Sequence, residues 1–120
     1  GLLRLGIRRE DIFPIEVDEM IPAVGQGALG VQCRAEDPIV GPILAAIEHG
    51  PTRSAVSGER AFLAAFGGGC NVPAGCYIEE AGDVFSLRAV VAGGDGEVRR
   101  LKSTGKDPVA LGLAAAAALS

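Results

Sequence analysis

The chain has 120 residues, of which 48% are hydrophobic and 22% charged, and its formal net charge is −4 at pH 7. These values are typical of a globular domain with its own core and exclude a disordered chain. The acidic balance argues against a general nucleic-acid-binding protein, which would be basic. Three cysteines without framework spacing predict reduced thiols and a cytoplasmic protein. The apolar run 111–119 is too short to cross a bilayer, so no membrane partner is expected.

The first 34 residues carry short, interrupted patterns. Residues 1–7 are predicted to be the last turns of a helix, with Gly6 as its C-cap. Residues 12–17 alternate like a brief strand broken by a proline, and residues 29–34 alternate like a second strand.

The next stretch predicts two helices. Asp37-Pro38 is a good helix start, and the following Gly50-Pro51 should stop that helix near His49. His49 would then stabilise the last carbonyls of the first helix. Thr52 is expected to cap a second helix that runs to Phe66. Its charged residues would most simply form a solvated face: Arg53, Glu59 and Arg60.

The remaining residues favour strands and a closing helix. Alternating runs at 76–80, 84–91 and 98–103 are separated by glycine-rich turns, which indicates antiparallel hairpins. Asp107-Pro108 starts a helix that continues through Leu119. We therefore predict an α+β fold, with a C-terminal three-stranded antiparallel sheet and helices on one of its faces.

The stretch from Gly25 to Gly30 matches the G-x-G-x-x-G pattern of dinucleotide-binding sites. That site requires a strand before the glycines and a helix directly after them. Here Pro22 precedes the glycines and a strand-like alternation follows them. A hinge or crossover is the better interpretation.

The strongest candidate site is the loop Gly67–Gly75, which holds Cys70 after three consecutive glycines. Glycines give the backbone freedom, and loops on a rigid scaffold often carry binding or catalytic groups. The alternative is that Cys70 is a small buried hydrophobe. A metal or disulfide-exchange site formed with Cys33, His49 or Cys76 is weakly supported, because the spacing matches no common pattern.

Four blocks of the sequence together resemble a known family. They are Arg4-Leu5-Gly6, the run from Ile21 to Arg34, Glu59-Arg60-Ala61 and the run from Gly68 to Gly75. In this order and separation they resemble porphobilinogen deaminase, also called hydroxymethylbilane synthase, essentially from end to end. Two positions depart from the pattern: Asn71 stands where glutamine is common, and Cys76 where a small or hydroxyl residue is usual.

The resemblance implies a transferase of tetrapyrrole (heme) biosynthesis. Such enzymes join four porphobilinogen units into hydroxymethylbilane with loss of ammonia. Cys70 matches the cysteine that holds the dipyrromethane cofactor as a thioether, a role that suits a nucleophilic thiolate. Arg4 matches an arginine that binds the carboxylates of the pyrroles, and Gln26 lies on the crossover beside the cleft. Glu59 and Arg60 are expected to be structural, as an ion pair or a domain contact.

The resemblance also implies a domain division. Residues 1–21 would end a second domain, and residues 22–45 would be a hinge with a strand and helix returning to the first domain; both domains would be periplasmic-binding-protein-like α/β folds. Residues 46–120 would form the cofactor-carrying domain. The family's catalytic aspartate lies in an N-terminal region absent here, so we expect no catalytic residue in this chain, no activity of the chain alone, and a monomeric full-length enzyme.

Two other classes of function stay open beside the enzyme. One is a non-catalytic module of the same fold that binds a small ligand or a protein. The other is a thiol-based redox or metal protein, which reversible Cys70–Cys76 oxidation or stoichiometric zinc would favour.

Overall fold

The structure is a computed structural model that describes residues 2–67, 72–94 and 96–120. A 3₁₀ turn at Leu3–Leu5 precedes three helices and three strands. The helices are α1 (Val40–Ile47), α2 (Gly50–Ala65) and α3 (Pro108–Leu119). The strands are β1 (Ala74–Ala81), β2 (Val84–Ala92) and β3 (Val98–Gly105). The strands pair antiparallel in the order β1-β2-β3, which confirms the predicted sheet.

One face of the sheet forms the core together with α2 and α3. Cys76 of β1 pairs with Ala89 of β2, which pairs with Leu101 of β3, and the first two of these side chains are fully buried. Phe62 of α2, also fully buried, packs in the same cluster. Alternate strand residues and one stripe of each helix share this core, so the predicted α+β class with helices on one sheet face is confirmed.

The two core helices touch backbone to backbone at a pair of glycines. A Cβ atom on Gly112 of α3 would lie 2.1 Å from the carbonyl oxygen of Gly58 in α2. A Cβ atom on Gly58 would in turn lie 2.3 Å from the carbonyl oxygen of Pro108. Only hydrogen fits at these two positions, which lets α2 and α3 approach closely over the sheet.

The predicted start of α3 at Asp107-Pro108 is confirmed, whereas α1 begins at Val40, with Ile39 as its N-cap, instead of at Pro38. Asp107 accepts hydrogen bonds from the backbone N–H groups of Val109 and Ala110 at the start of α3. Asp37 accepts in the same way from Ile39 and Val40 at the start of α1. Each carboxylate satisfies two amide donors that the first helical turn leaves unpaired.

Two predictions at the α1–α2 junction are wrong. Helix α2 begins at Gly50, so His49, rather than Thr52, is its N-cap residue. Pro51 suits the first turn, where its missing N–H costs nothing, and the N-cap lies three residues earlier than Thr52. His49 therefore precedes α2 instead of stabilising the end of α1, and its Nδ1 lies 2.9 Å from Thr52 Oγ1.

The two strands predicted before residue 37 do not form. Residues 12–17 and 29–34 are in neither helix nor strand, and most of their side chains are exposed. In the described part of the chain the sheet contains only β1, β2 and β3, so these segments have no strand beside them. Since a strand needs a partner for its backbone groups, alternation alone cannot create one.

The helix end predicted at residues 1–7 is present as a single 3₁₀ turn. Gly6 adopts φ +70° and donates its N–H to the Leu3 carbonyl, so the predicted C-cap is confirmed. Among the described residues, every helix is too short or too polar to cross a membrane.

Candidate functional site

The cysteine loop joins the C-terminal end of α2 to the start of β1. Cys70 lies outside the described residues, as do its neighbours at 68, 69 and 71. On the helix side, the Gly67 N–H donates to the Ala64 carbonyl at 3.0 Å, and Gly67 has φ +88°. A left-handed glycine at this place ends the helix and turns the chain towards the loop.

Both ends of the loop are anchored to the core. The Phe66 ring packs edge-to-face on Phe62, with the ring centroids 5.3 Å apart. On the strand side, the Ala92 N–H at the end of β2 donates to the Pro73 carbonyl at 2.9 Å. The loop that contains Cys70 is therefore anchored at Phe66 on the α2 side and at Pro73 on the sheet side.

A second feature lies against β1: the crossover segment, defined here as residues 18–28. Its first contact is with the sheet face opposite the helices, where Asp18 Oδ1 lies 2.9 Å from Lys102 Nζ and 2.6 Å from Arg88 Nε. These two cations, with Lys102 contributing more than Arg88, lower the pKa of Asp18. Arg88 also donates to Glu79 at 2.7 Å, so the first contact belongs to a small ionic network.

The crossover segment next covers the free edge of β1. The Cys76 N–H donates to the Pro22 carbonyl at 3.1 Å. A Cβ atom on Gly75 would lie 2.9 Å from the Pro22 carbonyl oxygen and 3.0 Å from that of Ile21. Glycine at position 75 therefore permits the close approach, and the segment occupies a strand edge that would otherwise be unpaired.

Glu59 makes the third contact with the crossover segment. Its side chain is in the middle of α2, and the residue is only 5% exposed. Oε2 accepts from the Gly25 N–H at 2.7 Å, and Oε1 accepts from the Ile78 N–H of β1 at 2.9 Å. Burial raises the pKa of Glu59, while the two hydrogen bonds, the Ile78 one more than the Gly25 one, oppose that rise.

The predicted solvated face of α2 is thus wrong for Glu59. Ala55, Gly58, Glu59 and Phe62 form the buried stripe of the helix, at helical spacing. The position of Glu59 four residues after Ala55 and three before Phe62 is the sequence signal for its burial. Arg53 and Arg60 are exposed as predicted, and Arg53 pairs with Glu48 at 3.0 Å. Glu59 contacts the crossover segment through Gly25. In the described residues it forms no ion pair with Arg60.

Gln26 stabilises the turn in which it lies. Its Oε1 accepts from the Ala23 N–H at 3.1 Å, and its own N–H donates to the Ala23 carbonyl at 3.0 Å. The exposed side chain lines an open cavity of about 390 Å³ between the N-terminal half of α2 and the C-terminal half of β1. The cysteine loop joins the opposite ends of these two elements, and neither Gly67 nor Pro73 lines the cavity.

Arg4 lies exposed in the 3₁₀ turn, and no described residue pairs with its side chain. Arg4 is not among the described residues that line the cavity beside Gln26. The third candidate, Cys70, falls outside the described residues, so the three candidate residues stay separate predictions.

The two described thiols differ in environment. Cys33 is exposed. Cys76 is fully buried, and burial, with a smaller contribution from the negative charge of Glu59, raises its pKa to about 12. A neutral, enclosed thiol is a poor redox partner and a poor metal ligand. In residues 2–67, 72–94 and 96–120, no three His, Cys, Asp or Glu side chains come together as a metal site would require.

Comparisons with known proteins cover almost the whole chain. The family model described as porphobilinogen deaminase, C-terminal domain, matches residues 54–120. A second, described as porphobilinogen deaminase, dipyromethane cofactor binding domain, matches residues 1–41. Curated porphobilinogen deaminases of Roseiflexus sp. (strain RS-1) and Roseiflexus castenholzii are 44% and 43% identical over 118 residues, 97% of this chain. The chain spans 39% of the length of each of these relatives.

Proposed function

Because this chain belongs to the porphobilinogen deaminase family, we propose that it is the C-terminal part of a transferase that joins four porphobilinogen units into hydroxymethylbilane with loss of ammonia. The observation that carries the proposal is the agreement of both family models with this chain, at residues 1–41 and 54–120. The cysteine loop lies within the match at residues 54–120, between α2 and β1.

Cys70 is the proposed attachment residue, holding dipyrromethane through a thioether. The anchored ends of the loop support this role, since they tie a glycine-rich stretch to a rigid helix and sheet. Cys76 cannot compete for the same bond, because its thiol is buried and stays protonated far above neutral pH. When bound, dipyrromethane supplies the primer to which the pyrrole units are added.

Two further residues would act on the substrate side. Arg4, exposed and without a partner in the described chain, would pair with acetate or propionate groups of the pyrroles. Gln26 Oε1 is already engaged by the Ala23 N–H, so a substrate contact would use its amide NH₂. Both roles follow from the family resemblance at these positions.

We also propose the domain division that the family resemblance implies. Residues 1–21 end a second domain, residues 22–45 form the hinge and the return to the first domain, and residues 46–120 carry the cofactor. None of the acids here matches the motif of the family's catalytic aspartate, so we expect residues 1–120 expressed alone to be inactive. We expect the complete enzyme to be a cytoplasmic monomer.

The test is the mass of the full gene product that contains this chain, purified from its own cells, with peptide mapping of Cys70. We expect a dipyrromethane-sized increment on that peptide. Cys70→Ser should abolish the increment, whereas Cys33→Ser should leave it unchanged because Cys33 lies in a different, exposed segment.

A bare Cys70 thiol in the native protein would contradict the enzyme assignment and favour a non-catalytic binding module of the same fold. An increment on Cys33 instead would leave the family chemistry in place but move the attachment residue.

A further inference from the structure

Glu59 is a buried carboxylate whose two oxygens are both used on backbone amides. One amide, that of Gly25, belongs to the crossover segment, and the other, that of Ile78, belongs to β1. These two residues are far apart in the sequence and lie on different structural elements. The carboxylate therefore joins three parts of the molecule at one point: α2, β1 and the crossover segment.

The amides bound by Glu59 and by Pro22 lie on the same edge of β1. The Cys76 N–H donates to the Pro22 carbonyl, and two residues later the Ile78 N–H donates to Glu59. In a strand, alternate amides point to the same side, so both would be unpaired if the crossover segment and Glu59 were absent. The edge is thus completed partly by backbone and partly by one side chain.

The geometry of Gly25 shows that this contact selects one conformation of the turn. Gly25 has φ +70°, a left-handed conformation in which its N–H points at Glu59. A Cβ atom at Gly25 would lie 3.9 Å from Val56 Cγ1, so space alone does not exclude a side chain there. The left-handed backbone and the hydrogen bond from the Gly25 N–H to Glu59 account for glycine at this position.

We propose that Glu59 is a positioning residue that fixes the crossover segment, through Gly25, on the unit that carries the cysteine loop. This inference rests on the proposed function, because the position matters for catalysis only if Cys70 carries the cofactor. Helix α2 holds Glu59 in its middle and enters the cysteine loop at its end. A displacement at Glu59 is therefore transmitted by a rigid helix to the residues that hold the primer, and a shift of about 1 Å can reduce a catalytic rate by about a hundredfold.

The test uses the full gene product with Glu59→Gln. The amide has nearly the same size but only one oxygen, so one of the two backbone N–H groups faces an NH₂ group instead. We expect hydrogen exchange at Gly25 or Ile78 to become about tenfold faster or more, while exchange in β2 and β3 is unchanged. We also expect kcat for porphobilinogen consumption to fall by about tenfold or more, with a smaller rise in KM because Gln26 lies beside Gly25 on the same segment.

Glu48→Gln is the matched control. It removes the same charge from an exposed side chain that pairs with Arg53, its one ion-pair partner among the described residues, and it should change neither exchange nor kcat. Unchanged exchange at both Gly25 and Ile78 in Glu59→Gln overturns the proposal, and so does faster exchange with an unchanged kcat.

If Glu59→Gln does not fold, hydrogen exchange of the unmodified protein tests the proposal. The Gly25 amide should then be protected to the same degree as that of Ile78. Exchange at Gly25 as fast as in the exposed segment 30–32 would refute the proposal. A missing increment on Cys70 would refute the proposed function but would leave these exchange results standing.

Discussion

At the scale of single residues, the role of a side chain depends on the groups that it packs against. Glu59 and Cys76 are both buried, yet one is fully hydrogen-bonded and the other behaves as a small apolar group. A buried carboxylate without partners would be costly, and the two amide donors offset that cost. Cys76 lies on the face of β1 that packs in the core with Phe62 of α2, where its thiol acts as a small apolar side chain.

The burial of Cys76 predicts its reactivity. Its pKa of about 12 leaves almost no thiolate at neutral pH, and the enclosed sulfur is closed to reagents. In the folded chain, N-ethylmaleimide should therefore label Cys33 quickly and Cys76 only after unfolding. Peptide mass mapping with and without denaturant checks this for the Cys33 and Cys76 peptides, with Cys33→Ser as the control that removes the exposed described thiol. Rapid labelling of Cys76 in the native protein would show that the core opens at β1.

At the scale of elements, α2 is the part around which the others are arranged. Its buried stripe packs on α3 at Gly58, on the sheet at Phe62 and on the crossover segment at Glu59. Its C-terminal end leads into the cysteine loop. The same helix thus supports the core, holds the crossover segment and anchors the proposed cofactor site.

The α2–α3 contact predicts a strong dependence on Gly112. In Gly112→Ala the new methyl group would lie 2.1 Å from the Gly58 carbonyl oxygen, so the helices must separate. We expect the free energy of unfolding to fall by about 1–3 kcal/mol, the usual cost of overpacking a core. Urea denaturation followed by circular dichroism measures it.

The control for that change is Gly50→Ala, at the first residue of α2, where a Cβ atom meets nothing within 4 Å. It should alter the free energy of unfolding by less than about 1 kcal/mol. Equal stability of Gly112→Ala and the unmodified chain would mean that the helices do not touch at these glycines.

At the scale of the whole molecule, the chain has a buried core and two largely exposed stretches. Helices α2 and α3 and the three strands form the core, while most side chains in residues 2–17 and 29–50 are exposed. The crossover segment between those exposed stretches is held by Asp18, by Pro22 and by Glu59. Residues 18–28 therefore pack against the C-terminal helices and strands.

This division predicts where a protease cuts residues 1–120 expressed alone. Trypsin should cleave early after Arg34, which lies in an exposed segment without helix or strand, and late after Arg88, which is in the central strand and bound by Asp18 and Glu79. A time course followed by mass spectrometry measures the order. Cleavage after Arg88 as early as after Arg34 would contradict the arrangement of the core.

The sequence predicted the elements whose signals are local. Asp107-Pro108 and the alternating runs around residues 78, 87 and 101 indicated α3 and the three strands, and the structure confirms them. The strands predicted at 12–17 and 29–34 failed because strand formation depends on a neighbour that alternation does not supply. Local capping, turn and periodicity signals suffice for helices and hairpins, since their partners are close in sequence.

What the sequence determined by itself was the family and, through it, the expected thiol chemistry at Cys70, because four separate blocks in the right order are carried by residue identity alone. What only the tertiary structure decided was the roles of Glu59, Gly75 and Asp18. Each of these residues acts on a segment distant in sequence, through a backbone amide, a close carbonyl or a cation. Such contacts depend on how the elements pack against one another, and no short-range pattern along the chain encodes that packing.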